Sequence, residues 1–436
     1  MRRELVLLFL LISLSASVCL GQTDNSPTSG AGPAQQAAAE TADKKEVTNY
    51  SLSPEKYEKA VAYSRTRYWL HFIETGYSLL VLMSFLAFRI GGRIRDWAEA
   101  ASRRRFVQAI VFVPILLGVL AVLELPFDVY SHRLARHYDI SIQGWGSWFW
   151  DWTKAELIEL GILSVLLYFF YGVVRRSPRR WWLYSGLAVF PLAVAFLFLA
   201  PLALDPVFNK FEPLEKTQPA LVAEIEKVVK HGGLDIPRER MFEMKASEKV
   251  KAVNAYVTGF GSSKRVVVWD TTISNMTTSQ TLFVVGHELG HYVLGHIPKG
   301  IAFIGCVILA VLFLVYRTVL WAMRRWHKRW AIRNLEDWAS LPALMLFFSL
   351  FVFFAEPVAN TFSRYQEHQA DVYGLEVTYG IVPDSSQAAA EAFQVLGEID
   401  LADPNPSEFI KVWLYSHPPL AERLVFAREY KPAPKD

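Results

Sequence analysis

Between Val284 and His291 the chain reads Val-Val-Gly-His-Glu-Leu-Gly-His, two imidazoles four residues apart with a carboxylate between them. On an α-helix, positions four apart differ by about 40° around the axis, so His287 and His291 share a face and can hold one ion. Glu288 sits beside that face, where it can take a proton from water rather than bind the metal. Apolar Leu282, Phe283, Val284 and Val285 precede the motif. They make a buried helix the expectation, and buried polar groups need partners. Thr278 or Ser279 is the expected N-cap. A zinc site needs at least a third protein ligand. The extended pattern that would supply it nearby, with glycine at 294 and histidine at 297, is not present: the chain has Leu294 and Ile297. His296 follows His291 by five residues and on a continuous helix would be turned about 140° away, which reads as a group behind the ligands or a structural one. Further on, Ser363-Arg364-Tyr365-Gln366-Glu367-His368-Gln369-Ala370-Asp371 places Glu367 and Asp371 four apart, hence on one face. One can ligate a metal while the other accepts an N–H from a ligand imidazole, and spacing does not decide which.

The elements that must position these groups belong to an unusually apolar chain. It has 436 residues, 52% hydrophobic and 14% aromatic, with a mean hydropathy of +0.21. Only two cysteines, Cys19 and Cys306, exclude a disulfide scaffold. A net charge of +3 is too small for a nucleic-acid binder that works through net charge. Six apolar segments, 68–88, 106–127, 156–174, 181–204, 300–321 and 341–359, are each close to the roughly 20 residues a helix needs to cross a bilayer. Tryptophans crowd their edges, as at Trp148, Trp150 and Trp152 and at Trp181-Trp182, where amphipathic rings suit the interface. Glu74, Glu124, Asp128, Glu156 and Glu159 lie in or near these spans and fit a wet interior, though Glu156 and Glu159 fit interfacial snorkelling equally well.

The start, Met1-Arg2-Arg3 with an apolar run to Leu14 and small residues after it, has the pattern of a signal peptide or a first membrane helix over 1–21. A disordered linker and juxtamembrane segment is expected over 22–67, with residues 22–47 rich in Ala, Gly, Ser, Pro and Gln. Four membrane helices (68–204), a polar part carrying the His-Glu motif (205–299), a membrane helix pair (300–359) and a second polar part (360–436) complete the expected organisation. In the first polar part, 217–231 is expected as a helix stopped by Gly232-Gly233. Segments 240–244, 252–258 and 265–269 read as short strands, the last two as a hairpin. Arginines concentrate in three loops: Arg89, Arg93, Arg95, Arg103, Arg104 and Arg105; then Arg175, Arg176, Arg179 and Arg180; then Arg324, Arg325, Arg329 and Arg333. Alternating spans bring these loops to one face, the positive-inside rule makes it cytoplasmic, and both polar parts then lie outside.

His287-Glu288-Leu289-Gly290-His291 with Gly295-His296, Ser363-Arg364…Glu367…Ala370-Asp371, and Ser416-His417-Pro418-Pro419 resembles the integral-membrane zinc metallopeptidases of the CAAX prenyl protease type 1 family, of gluzincin type. The likeness extends upstream to Pro206-Val207-Phe208-Asn209-Lys210-Phe211 and Asn254-Ala255-Tyr256, and covers roughly residues 53–430. It implies a mainly α, multi-span transmembrane bundle enclosing a chamber, with a small α+β zinc metallopeptidase domain split by a transmembrane hairpin. It implies one Zn2+ per chain held by His287, His291 and Glu367, with Asp371 orienting a ligand imidazole. It also implies Glu288 as general base, Asn254 on the strand edge that pairs with substrate, and His417 and Arg423 facing the scissile carbonyl. The implied reaction is peptide-bond hydrolysis by a zinc-activated water. The implied partners are the lipid bilayer and a peptide or protein substrate, prenylated or membrane-associated. Family members have seven spans and open the zinc site to the cytosol, whereas the loop charges here put it outside. A quality-control protease of membrane or exported proteins therefore stands beside C-terminal processing of prenylated chains. More distant readings are a transporter, which zinc-free protein with solute flux would favour, and a non-catalytic scaffold, which unchanged function in Glu288→Gln would favour.

Overall fold

The computed structural model describes residues 50–259 and 263–431. The signal-like segment and the linker over 22–47 lie outside the described residues. The first helix, α1 (Pro54–Ala87), begins well before the expected first span, because Ser53 caps it by accepting from Lys56 N and Pro54 occupies its first turn. Residues 54–67, read from sequence as part of a juxtamembrane linker, are thus a polar helical extension of a membrane helix. A short α2 (Ile90–Ala101) leads to α3 (Arg105–His137), α4 (Trp145–Arg176) and α5 (Trp181–Leu199), and a π-helical turn over Ala200–Leu204 leaves the bundle.

All six apolar segments are helical. Five of those helices are long and apolar enough to cross a membrane, and the fourth segment forms a shorter apolar helix. The other two long ones are α8 (His296–Trp326) and α9 (Leu341–Thr378). Their shared core is a layer of Leu, Val, Phe and Trp side chains, with Phe112, Tyr171, Trp181 and Trp338 fully enclosed. The arginine-bearing loops meet at one end: Arg89 Nε donates to Arg329 O (3.1 Å), and Tyr171 is hydrogen-bonded to Ser340 Oγ (2.9 Å). From Ser340, α9 runs 38 residues, far more than a bilayer crossing needs, and carries Glu367 about 40 Å along its axis from that end.

Between α5 and α8 lies a four-stranded sheet in the order β1-β2-β4-β3, with β1 (Phe211–Pro213), β2 (Met241–Met244), β3 (Ala255–Thr258) and β4 (Arg265–Trp269). The expected hairpin is present as antiparallel β3–β4, with Tyr256 opposite Val267. The expected strand over 252–258 is shorter: Thr272 Oγ1 takes the Asn254 N–H (2.6 Å), although Asn254 O still accepts from Trp269 N of β4 (3.0 Å). Strand β1 has only three residues, too few for an alternating pattern to be read. Helices α6 (Pro219–His231) and α7 (Thr278–Val293) pack on the sheet through Leu221, Val222, Ile225, Val285 and Leu289. After α9, helices α10 (Ser385–Ile399) and α12 (Leu420–Glu429) close over the outer side of α7, while the short α11 (Glu408–Leu414) stacks Phe409 on Phe72 of α1 and sets Trp413 against Phe353 of α9.

Candidate active site

Helix α7 carries the His-Glu-Leu-Gly-His motif. Its N-cap is Thr277, one residue earlier than read from sequence: the Thr277 side chain accepts from Gln280 N, and Gln280 reaches back to Thr277 N, a reciprocal pair that fixes the first turn. The helix is enclosed on nearly every side, with Thr281, Phe283, Val285, Leu289 and His291 at 1% exposure or less. Two glycines let α7 and α9 approach backbone to backbone. A Cβ on Gly286 would sit 2.8 Å from Val377 Cγ1, and one on Gly374 would sit 3.0 Å from His287 N. That approach sets Glu367 and Asp371 of α9 against the two histidines of α7.

The three groups form a triangle. His287 Nε2 is 3.1 Å from His291 Nε2 and 3.3 Å from Glu367 Oε2, and His291 Nε2 is 3.4 Å from Glu367 Oε1. These edges match a tetrahedral site with bonds of about 2.0–2.1 Å, whose ligand atoms stand about 3.3 Å apart. Glu367 is fully buried, and neither of its carboxylate oxygens accepts a hydrogen bond. Glu288, Glu367 and Asp371 are all buried with a single guanidinium, Arg423, among them. That leaves a two-charge deficit that a divalent cation fits. Among the described residues, His287, His291 and Glu367 are the one such cluster able to hold a metal.

Behind the triangle, His287 Nδ1 lies 2.8 Å from Asp371 Oδ1. Asp371 in turn accepts from Arg423 through Nε (2.8 Å) and Nη2 (2.6 Å). Burial disfavours a charged His287, but the Asp371 and Glu367 carboxylates beside it outweigh that and raise its pKa. Burial lowers His291 to about 3, so that ring is neutral. His417 Nε2 stands 3.3 Å from Glu367 Oε2, with Ser416 Oγ 3.0 Å from its Nδ1. Asn254 borders the site at the start of β3, which is an edge strand of the sheet.

The expected catalytic, metal-ligating and substrate-binding residues therefore lie together, but Arg423 faces Asp371 with two of its donors. Sequence reasoning missed Gly286 and Gly374, although glycine inside a helix costs about 1 kcal/mol against alanine and so marks a packing need. It also missed Asn360 of α9 and gave Arg364, quoted within the motif, no role. Asn360 Nδ2 donates to Trp413 O, and Arg364 Nη1 donates to Lys411 O (2.9 Å) and Tyr415 O (2.5 Å), holding the turn before Ser416-His417.

A cavity of about 630 Å³ opens from His287, Glu288 and His417 between α1, α8 and α9, where Ile304, Val307, Ile308 and Val352 make an apolar wall. A second, of about 840 Å³, is lined by Glu74, Asp128, Asp151 and Trp148 and shares Arg67, His71, Asn254 and Trp269 with the first. Two of the expected interior acids thus border open space, while Glu124 accepts from Ser78 (3.1 Å).

Comparisons with known proteins bear on the chain as a whole. The profile described as Peptidase family M48 matches residues 215–431, and that described as CAAX prenyl protease N-terminal, five membrane helices, matches residues 36–210. An uncharacterized metalloprotease of Bacillus subtilis, YhfN, is 33% identical over 384 residues, which cover 88% of each chain. The chain belongs to peptidase family M48. Among other M48 relatives, CAAX prenyl protease 1 of Saccharomyces cerevisiae is 25% identical over 86% of both chains. The human homolog is 24% identical, again over 86% of both. The crystal structure of Saccharomyces mikatae Ste24p matches 98% of this chain and 97% of its own with a TM-score of 0.74 at 22% identity, a likeness of fold. The protein is a multi-pass membrane metalloprotease of this M48 group.

Proposed function

We propose that the protein is a zinc endopeptidase that binds one Zn2+ through His287, His291 and Glu367 and cleaves membrane-associated polypeptides. The observation that carries this reading is the 3.1–3.4 Å triangle of two imidazoles and one carboxylate, with Glu288 next to it in the cavity wall. Zinc at this position supplies a Lewis acid that polarises a carbonyl and makes water acidic near neutrality. Glu288 accepts the proton from the attacking water and returns it to the leaving amine. His417 is the donor nearest the reacting carbonyl, and the Arg423 guanidinium, 3.8 Å from Glu367, adds positive charge behind it. Asn254 starts the edge strand along which an extended substrate adds as a further strand. Hydrolysis of an unstructured protein such as casein by detergent-solubilised protein tests the reaction. It should stop with a chelator, return with Zn2+, and be absent in Glu288→Gln. Chelator-resistant cleavage would end the metal reading.

The site belongs on the extracytoplasmic face, opposite the arginine loops, with exported or membrane proteins as substrates. A second reading is favoured by the relatives' printed names and by the apolar cavity wall: cytosolic removal of C-terminal residues from prenylated chains. With Cys19 and Cys306 replaced by alanine, Asp235→Cys should react with an impermeant maleimide on intact cells, and Arg103→Cys should not. The reverse pattern would make prenylated cytosolic substrates the leading reading.

A further inference from the structure

We propose that His296 is a positioning residue that fixes the tautomer and orientation of the metal-facing His291. It rests on the reading above that His291 holds the metal. Helix α7 ends at Val293, and Gly295 takes φ +66°, a left-handed conformation that costs a residue with a Cβ. The chain therefore does not continue as one helix, and His296, at the first position of α8, turns back toward α7. Its Nδ1 lies 3.0 Å from His291 Nδ1, with both rings buried at 2% and 1% exposure. Its backbone carbonyl accepts from Gln366 Nε2 (3.1 Å), the residue before Glu367, so α9 holds both the carboxylate and this second imidazole.

The geometry decides where the protons are. His291 Nε2 points into the triangle and must present a lone pair to a cation, so the His291 proton is on Nδ1. Across 3.0 Å, His296 Nδ1 must then accept, and His296 carries its own proton on Nε2. The two ligand imidazoles are thus oriented by different chemistries: His287 by the carboxylate of Asp371, and His291 by a neutral imidazole.

Zn2+ affinity of detergent-solubilised protein, measured by competition with a chromophoric chelator, tests this. His296→Phe and the smaller His296→Leu remove the acceptor, and both are measured so that a variant that folds decides, with metal-free thermal unfolding as the control. His296→Asn places an amide oxygen near the position of Nδ1. Affinity should fall about 10–100-fold in the Phe or Leu variant and recover to within about threefold of wild type in the Asn variant. Wild-type affinity in a folded Phe or Leu variant overturns the proposal, as does an Asn variant as weak as the Phe variant. Wild-type protein that takes up no Zn2+ would instead overturn the metal reading and this proposal with it.

Discussion

Two buried arginine–aspartate pairs stand at opposite ends of α9, and they differ in what they leave open. At the arginine-loop end, Arg95 Nη1 donates to Asp337 (2.6 Å) and to Ala331 O, and Asp337 also accepts from Arg333 N and Ala339 N. Every oxygen of that carboxylate has a backbone or guanidinium donor, and the pair ties α2 to the loop entering α9. At the other end, Arg423 and Asp371 are equally buried and equally close, but Asp371 also faces His287 Nδ1, and the neighbouring Glu367 accepts no hydrogen bond at all. A pair with no unsatisfied carboxylate beside it serves structure. One that stands next to a carboxylate whose acceptors are left over, as Glu367's are, borders a place prepared for a cation. Residue type and burial do not separate the two cases; the count of satisfied lone pairs does.

The hardest way to break this contrast is at the open end. Glu367→Ala should abolish stoichiometric Zn2+ uptake and with it all hydrolysis, read by metal analysis after dialysis. Retained metal would mean another group is the third ligand. Glu288→Gln should keep the metal and lose about 10²–10⁴-fold in kcat, the usual weight of a general base. An unaltered kcat would return the scaffold reading.

At the closed end the expectation reverses. Arg95→Met strands Asp337 at 4% side-chain exposure and should cost about 3–5 kcal/mol of stability. The specific activity of the folded fraction should be unchanged. Adding Asp337→Leu should recover much of that loss, since replacing both partners removes the uncompensated charge. Thermal unfolding in one detergent compares all three proteins, and a double variant no better than the single would show that Asp337 matters through its backbone donors alone.

Much of the site was legible in the sequence because it lies on two helices. Helical spacing alone pairs His287 with His291 and Glu367 with Asp371, and the resemblance assigns their roles. Legibility fails where the helix period fails. His296 looked turned away by continuous-helix geometry, and only the left-handed Gly295 brings it back onto His291. The first span was read too short because Glu55, Lys56, Glu58 and Lys59 are polar while still helical, so hydropathy marks the membrane and not the helix. The close approach of α7 and α9 hides in Gly286 and Gly374, which name no partner until the two helices are placed together.

The smallest effect comes from a residue that touches neither metal nor substrate. Arg364 holds the carbonyls of Lys411 and Tyr415, and Thr361 Oγ1 accepts from its Nη2 (2.8 Å), so a planar fork on α9 sets the turn that delivers His417. Lysine keeps the charge but cannot reach three acceptors in a fixed plane. Arg364→Lys should therefore lower kcat about tenfold through a loosened His417, with Zn2+ affinity and KM near wild type, since the triangle and the substrate strand are untouched. A KM-only change would place the turn in substrate binding. Loss of metal would mean that His417, 3.3 Å from Glu367, supports the open end of the molecule more directly than its distance from the two imidazoles of the triangle suggests.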